Sequence, residues 1–177
     1  MKKILLLLSL SFIVSQTSFA QYGNNKPAWM ENVYVGGGLN GLSISKTQIT
    51  VSVSGQIGYK ITEELSTGIG VNYQYYKLTD LDVSFNDYGY NVFARYNVYD
   101  PFFAMARYEV QSIVKTLGAP RSKVDALLVG GGVSQPAGNN ASLNFFALYN
   151  LSYSDGSLDN GRYTSPWVIG AGINIGL

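Results

Sequence analysis

The chain has 177 residues, of which only 13% are charged, and it contains neither cysteine nor histidine. The absence of cysteine excludes disulfides, thiolate chemistry and a lipid-anchoring cysteine, and the length predicts one domain. Lys and Arg number 12 against 11 acidic residues, a balance that does not favour nucleic acid as a partner.

The amino terminus, MKKILLLLSLSFIVSQTSFA, has the three parts of a secretory signal peptide. Lys2 and Lys3 are positive, residues 4–14 form a short apolar core, and Ser18 and Ala20 are small residues before a cleavage site. A transmembrane helix would need about 20 apolar residues to cross the bilayer. We therefore expect a signal peptide over 1–20, a periplasmic amino-terminal segment over 21–32 and one domain over 33–177.

Apolar residues alternate with small or polar ones along the rest of the chain. Residues 49–59, ITVSVSGQIGY, and 65–75, LSTGIGVNYQY, show this period of two over their whole length, which is typical of half-buried strands. Eight strands are predicted in all: 33–45, 49–59, 65–75, 88–98, 102–112, 124–134, 141–153 and 167–177. The first changes phase near Gly41, which indicates a β-bulge, and the sixth allows either phase.

The connections between these strands tend to alternate between short turns and longer loops. Eight strands joined to their neighbours in this way predict an all-β fold, an antiparallel up-and-down barrel, because closure removes the exposed edges of an open sheet. We expect the short turns at one end of the barrel and the longer loops at the other.

Alternation alone does not say which face of the barrel is outside. A soluble barrel of the lipocalin type turns its apolar face inward, and a membrane barrel turns it outward. Here the polar face carries Ser, Thr, Asn, Gln and Gly with few charges, whereas a water-facing surface is about a quarter to a third charged. Glycines such as Gly58, Gly68 and Gly170 also fall on the polar face, where they would relieve crowding in a narrow lumen.

Aromatic residues gather toward the strand ends on the apolar face. Tyr and Trp in these positions are typical of the girdles that hold a membrane barrel at the two lipid–water interfaces. The predicted girdle comprises Tyr59, Tyr73, Tyr75, Tyr88, Tyr96, Tyr108, Tyr153 and Trp167. We therefore predict an eight-stranded transmembrane β-barrel.

With its signal peptide and eight alternating strands, the chain resembles the small outer-membrane barrels of the OmpA-transmembrane-domain, OmpX and OmpW type, especially those common in Bacteroidetes. The resemblance implies a monomer in the outer membrane of a Gram-negative bacterium, with lipid and the barrel-assembly machinery as partners and with the amino terminus in the periplasm. The carboxy-terminal sorting strand of that family corresponds here to Ala171, Ile173, Ile175 and Leu177, although the family usually ends in Phe. No further periplasmic domain is expected after this strand.

Enzymatic activity is not expected. The known outer-membrane barrel enzymes have palmitoyltransferase-like, lipid-deacylase-like or omptin-like sites. These sites resemble one another in needing a histidine as base or proton shuttle, and this chain has none. The acids Asp80, Asp82, Asp155 and Asp159 fall in predicted loops, and the spacing at 155–159 is not that of an EF-hand. We therefore predict no catalytic, cofactor or metal site.

One charged cluster is predicted inside the barrel. If the turn is centred near Pro101, Arg95 faces Arg107 on the neighbouring strand, and Glu109 is the next inward residue. Because buried charges need partners, these groups should pair across the lumen. The pairing would either plug the barrel or form the constriction of a pore.

The predicted loops over 75–87 and 153–166 mix Tyr with charged and amide residues, a composition that suits surface recognition of an external partner, whose identity the sequence does not indicate. The leading interpretation is a non-enzymatic barrel with a structural or surface-interaction role. The alternative is a narrow channel for small or hydrophobic solutes, and a weaker one is a soluble periplasmic ligand-binding barrel.

Overall fold

The computed structural model describes residues 27–44, 48–79, 83–114, 120–155, 163 and 165–177. A 3₁₀ helix over Ala28–Asn32 comes first in the chain. Eight strands follow: β1 (Val33–Ile44), β2 (Gln48–Lys60), β3 (Leu65–Leu78), β4 (Val83–Tyr99), β5 (Phe102–Ile113), β6 (Ser122–Pro136), β7 (Ala141–Asn150) and β8 (Trp167–Gly176). The predicted signal peptide lies outside the described residues. Among the residues described, no helix is long and apolar enough to cross a membrane.

The eight strands close into a barrel in which every neighbouring pair is antiparallel. The barrel is closed by β1 and β8, which pair from Tyr34–Gly176 to Leu39–Ala171. The amide of Leu177 extends this seam by donating to the carbonyl of Val33 at 3.1 Å. The predicted all-β fold of eight antiparallel up-and-down strands is therefore confirmed.

The two ends of the barrel differ in their connections. The short connections 61–64, 100–101 and 137–140 lie at one end, called here the turn end. The chain passes from β3 to β4, from β5 to β6 and from β7 to β8 at the other end, called the loop end. Of these three connections the structure describes residues 79, then 114 and 120–121, and then 151–155, 163 and 165–166. Asp155, on the last of these, is exposed at the loop end, and Asp80, Asp82 and Asp159 lie outside the described residues.

The β3–β4 hairpin extends further than predicted. Lys77 pairs with Ser84 and Leu78 with Val83, so most of residues 75–87 belong to strands and the prediction of a loop over this whole range is wrong. The rings of Tyr76 and Phe85 lie with their centroids 6.2 Å apart across this extension. Such cross-strand aromatic pairs stabilise a hairpin even where the sequence around them is polar.

The seventh strand is shorter than predicted and ends at Asn150. The side-chain oxygen of Asn150 accepts a hydrogen bond of 3.0 Å from the backbone amide of Ser152. This local bond turns the chain out of the strand. The alternation that continues to Tyr153 in the sequence is therefore not continued in the sheet.

The structure settles the alternation of β1 and β6, the two strands for which the sequence pattern is ambiguous. The register of β1 shifts between Leu39 and Gly41, which confirms the predicted bulge. In β6, Val124, Ala126 and Leu128 point inward and are buried. Leu127, between them, points outward and is 39% exposed.

The barrel buries polar side chains and exposes large apolar ones. On β3, Ile69 and Val71 point outward and are 63% and 64% exposed. On the inward face, Asn91 and Asn144 are only 4% and 5% exposed. A soluble barrel would have the opposite arrangement, because water would cover its outer face.

Inward glycines provide the space that the interior aromatic rings fill. A Cβ atom at Gly68 would lie 2.8 Å from Cε1 of Phe93, and one at Gly170 would lie 2.7 Å from Cε2 of Phe146. The ring of Tyr34 occupies the corresponding place at Gly58. The glycines on the polar face thus relieve crowding in a narrow lumen, as the sequence predicts.

Candidate functional site

The candidate site is the charged cluster inside the barrel. Arg95 on β4 and Arg107 and Glu109 on β5 all point inward. Their exposed fractions are 8%, 4% and 4%. The structure therefore brings the three predicted residues into one lumen.

The predicted pairing of Arg95 with Arg107 across the β4–β5 hairpin is wrong. Arg95 faces Met105, and Arg107 faces Phe93. Two differences from the prediction each shift the register by one residue: Tyr99 pairs with Phe102, which centres the turn between residues 100 and 101 and not at Pro101, and an irregularity lies between Asn97 and Tyr99. Along β5, Arg107 therefore lies two residues closer to the loop end than Met105, the residue opposite Arg95.

Arg95 is held by neutral groups. Its Nη1 donates to Oδ1 of Asn144 on β7 at 2.8 Å, and its Nε donates to Oδ1 of Asn97 at 3.1 Å. The guanidinium carbon lies 3.8 Å from the centre of the Phe103 ring. Amide oxygens and an aromatic face stabilise the cation here, in a buried site where a cation–π contact is strongest.

The guanidinium group of Arg107 has fewer hydrogen-bond partners than that of Arg95. Its nearest hydrogen-bond acceptor is the weak thioether Sδ of Met105, 3.8 Å from Nη2, and its guanidinium carbon lies 5.5 Å from the centre of the Phe146 ring. Its Nε is buried and has no hydrogen-bond partner. An unsatisfied polar atom of this kind is unusual in a folded interior.

Glu109 faces the loop end of the lumen. Its Oε1 accepts hydrogen bonds from Nε2 of Gln111 at 2.6 Å and from the hydroxyl of Tyr163 at 2.9 Å. Burial, and secondarily the Glu109 carboxylate, raise the pKa of Tyr163 well above its usual 10.0, so the phenol keeps its proton and donates it to this bond. Tyr163 belongs to the connection between β7 and β8, and this loop therefore contacts the interior.

The three charged side chains do not form ion pairs with one another. In the described part of the chain, no carboxylate oxygen lies within 4.0 Å of a nitrogen of Arg95 or Arg107. The prediction that these groups pair with one another across the lumen is therefore wrong. Amide, phenol and aromatic partners take the place of the expected counter-charges.

A cavity of about 30 Å³ lies beside the two arginines. Besides Arg95 and Arg107, its polar lining includes Ser54, Gln56, Asn144 and Asn174. A water molecule needs about 10–15 Å³ of such space, so the cavity holds roughly two waters. Side chains fill the surrounding interior, among them Phe93, Phe103 and Leu148, each of which is at most 3% exposed.

A second polar cluster closes the loop end of the β4–β6 wall. Nη2 of Arg121 lies 3.6 Å from Oδ1 of the buried Asp87 and donates to the carbonyl of Asn86 at 2.9 Å. Its Nε donates to Oγ of Ser112 at 3.0 Å, and its guanidinium carbon lies 4.2 Å from the centre of the Tyr88 ring. Arg121 thus ties the start of β6 to β4 and β5.

Most residues of the predicted aromatic girdle point outward. Six of them are 41% to 56% exposed: Tyr59, Tyr73, Tyr88, Tyr96, Tyr108 and Trp167. Tyr75 and Tyr153 are half-buried. Further aromatic rings lie near the two ends of the barrel. The ring centroids of Tyr99 and Phe102 lie 5.1 Å apart near the turn end, and those of Tyr149 and Trp167 lie 5.1 Å apart near the loop end.

The predicted sorting strand forms part of the seam. Ala171, Ile173 and Ile175 occupy alternate positions of β8 and pair with both β1 and β7. Ile173 and Ile175 are 39% and 40% exposed on the outward face. Leu177 follows the end of the strand and is half-buried.

Several residues that shape the site were not singled out in the sequence. Phe103, Phe146 and Asn144 fall on the polar face of the alternation, and this position indicates that they point inward. For Tyr163 there is no such signal, because it lies in a connection without periodicity. Its contact with Glu109 depends on the path of the loop.

No family model and no curated protein matches this chain. Among solved structures, the chain is similar to the amino-terminal β-barrel domain of Pseudomonas aeruginosa OprF, with a TM-score of 0.50 and 14% identity, over 82% of this chain and 97% of that one. It is also similar to Neisserial surface protein A (NspA), with a TM-score of 0.50 and 21% identity, over the same shares. At these identities the likeness shows that the chain shares their fold.

Proposed function

We propose that this protein is a non-enzymatic barrel of a Gram-negative outer membrane, with a structural or surface-interaction role and a closed lumen. One observation carries the proposal: the apolar face of the barrel is outside and the polar face is buried. Ile69 and Val71 are mostly exposed, whereas Arg107 is 4% exposed. This arrangement is stable when lipid surrounds the barrel.

The outward aromatic residues near the two ends of the barrel also support a barrel surrounded by lipid. Tyr59, Tyr96 and Tyr99 lie toward the turn end, and Tyr88 and Trp167 lie toward the loop end. Between them the outward face carries residues such as Ile69, which pairs with Ile57 and Val92. An apolar band between two aromatic rims matches the hydrocarbon core and its two interfaces.

The filled lumen favours a structural or interaction role over a channel. The cavity beside the arginines has a volume of about 30 Å³, which is room for roughly two waters. The buried rings of Phe93 and Phe103 occupy the same interior. In planar-bilayer recordings, the purified protein and its Arg107→Ala variant should both give no discrete openings. Reproducible openings of the unmodified protein would contradict the closed lumen.

The fold resembles the barrels of OprF and NspA, and NspA is by name a surface protein. We extend this location to the present chain and expect the loop end to face outward from the cell. An epitope inserted after the exposed Asp155 should be labelled by antibody on intact cells. The same epitope after Gly138, in the 137–140 turn, should be labelled only after permeabilisation. Labelling of both in intact cells, or of neither, would contradict the proposed orientation.

A further inference from the structure

We propose that the cavity beside Arg95 and Arg107 binds one small inorganic anion of the chloride class inside the barrel. Arg95 and Arg107 both line this one cavity. Among the described residues, the lining contains no Asp or Glu. Two arginines therefore line one small cavity whose described lining carries no counter-charge.

The unsatisfied guanidinium of Arg107 is the strongest reason to place an anion here. Arg107 is 4% exposed, its Nε has no hydrogen-bond partner, and Nη2 reaches only the sulfur of Met105. Met105 and Phe146, the two side chains that contact this guanidinium, line the same cavity. The arginine head group thus lies at the cavity with hydrogen-bonding capacity left over.

Glu109 does not form an ion pair with either arginine. It is the next inward residue beyond Arg107, but its Oε1 is bonded to Gln111 and Tyr163 on the side of the loop end. No carboxylate of the described residues comes within 4.0 Å of either arginine. A buried cation without a counter-ion is unfavourable, and an anion between the two guanidinium groups would remove that penalty.

The size and lining of the cavity select the class of anion. A volume of about 30 Å³ corresponds to roughly two waters, which suits a halide better than a larger hydrated anion such as phosphate or sulfate. Ser54 and the amides of Gln56, Asn144 and Asn174 provide further polar groups around the two cations. The site would therefore hold a single monovalent ion by charge-assisted hydrogen bonds.

Chloride binding can be measured by ³⁵Cl NMR on the purified protein folded in detergent. The protein should broaden the chloride line, and saturating bromide should reverse the broadening. Arg107→Met, which replaces the cation by an apolar side chain of similar length, should abolish the excess line width. Arg121→Gln, at the loop end and away from the cavity, should retain it. Equal broadening by the unmodified protein and by Arg107→Met, or no broadening by either, would overturn the proposal.

A second measurement does not depend on whether the variant folds. In crystals of the unmodified protein grown or soaked in bromide, the anomalous map should show a peak within hydrogen-bonding distance of Arg95 or Arg107. Density in the cavity without an anomalous signal would identify water as the occupant and would overturn the anion site. Because both measurements are made in detergent or crystals, they remain independent of where the barrel lies in the cell.

Discussion

The hydroxyl of Tyr163 donates a 2.9 Å hydrogen bond to Oε1 of Glu109. The bond joins the β7–β8 connection to the inward face of β5, across a separation of 54 residues in sequence. Because Glu109 is buried and accepts a second bond from Gln111, the phenol both anchors the loop and satisfies the carboxylate. A side chain from the β7–β8 connection therefore reaches the inward face of the barrel near the loop end.

Tyr163→Phe should therefore destabilise the barrel by about 1.5–3 kcal/mol, the usual range for a hydrogen bond to a charged group. Urea unfolding of the protein in lipid vesicles, followed by tryptophan fluorescence, measures this change. Tyr99→Phe removes a hydroxyl from a ring that is 66% exposed on the outward face and should leave the stability unchanged. Equal stability of all three proteins would show that the Tyr163 bond contributes nothing.

Gly170→Ala should also be destabilising, because the added methyl group meets the ring of Phe146 and the carbonyl of Leu39 at 3.0 Å. Overpacking of this kind usually costs about 1–3 kcal/mol. Gly55 is a matched control, since a Cβ there would meet only Cγ2 of Val71 at 4.0 Å. Gly55→Ala should be neutral or slightly stabilising, because glycine weakens a strand.

A double variant tests whether the ring is the cause. Phe146→Leu removes the atoms that the new methyl group would meet, so the loss caused by Gly170→Ala should be smaller in the Phe146→Leu background. The four unfolding free energies give the coupling directly. Strictly additive effects would assign the loss at Gly170 to the backbone and not to Phe146.

Ile69→Arg places a charge at the centre of the apolar band. In a lipid bilayer this should lower the unfolding free energy by about 2–4 kcal/mol, the range for arginine on the lipid face at the midplane. Glu63→Arg, in the exposed 61–64 turn, should change it little. A tolerated arginine at position 69 would argue that water and not lipid covers this face.

Arg121→Gln should loosen the loop end without unfolding the barrel. The variant loses the contact with Asp87 and the cation–π contact with Tyr88, and Asp87 in turn accepts a bond from the amide of Val114 at 3.3 Å. Hydrogen exchange at Val114 should accelerate, while exchange in the middle of β4 and β5 stays slow. Lys123→Gln, which changes an exposed side chain, should leave the exchange at Val114 unaltered. Equal protection in both variants would contradict this role of Arg121.

The strands and their faces can be predicted because alternation is a local property of the sequence. Ile69, Asn91 and Leu148 each lie on the side that their own strand indicates. Register is not local, and the position of the turn together with the irregularity between Asn97 and Tyr99 places Arg95 opposite Met105 and not Arg107. The partners of a buried charge depend on register in every strand around the barrel.

The extension of the β3–β4 hairpin and the contact of Tyr163 with Glu109 also depend on pairing with other parts of the chain. The polar residues around Lys77 indicate a loop by composition, yet pairing with Ser84 continues the strand. Tyr163 reaches Glu109 from a connection whose composition indicates only a surface loop. The sequence predicts that charges lie inside the barrel, whereas their neutral partners follow only from the closed sheet.

The placement of the apolar face in lipid can be tested most directly with a single spin label. The chain has no cysteine, so Ile69→Cys provides one labelling site in the middle of the apolar band, and Glu63→Cys provides a matched site in an exposed turn. After reconstitution into vesicles, the label at position 69 should be accessible to oxygen and protected from an aqueous nickel complex, and the label at position 63 should show the reverse. A label at position 69 that is as accessible to nickel as the label at position 63 would show that the apolar face does not contact lipid.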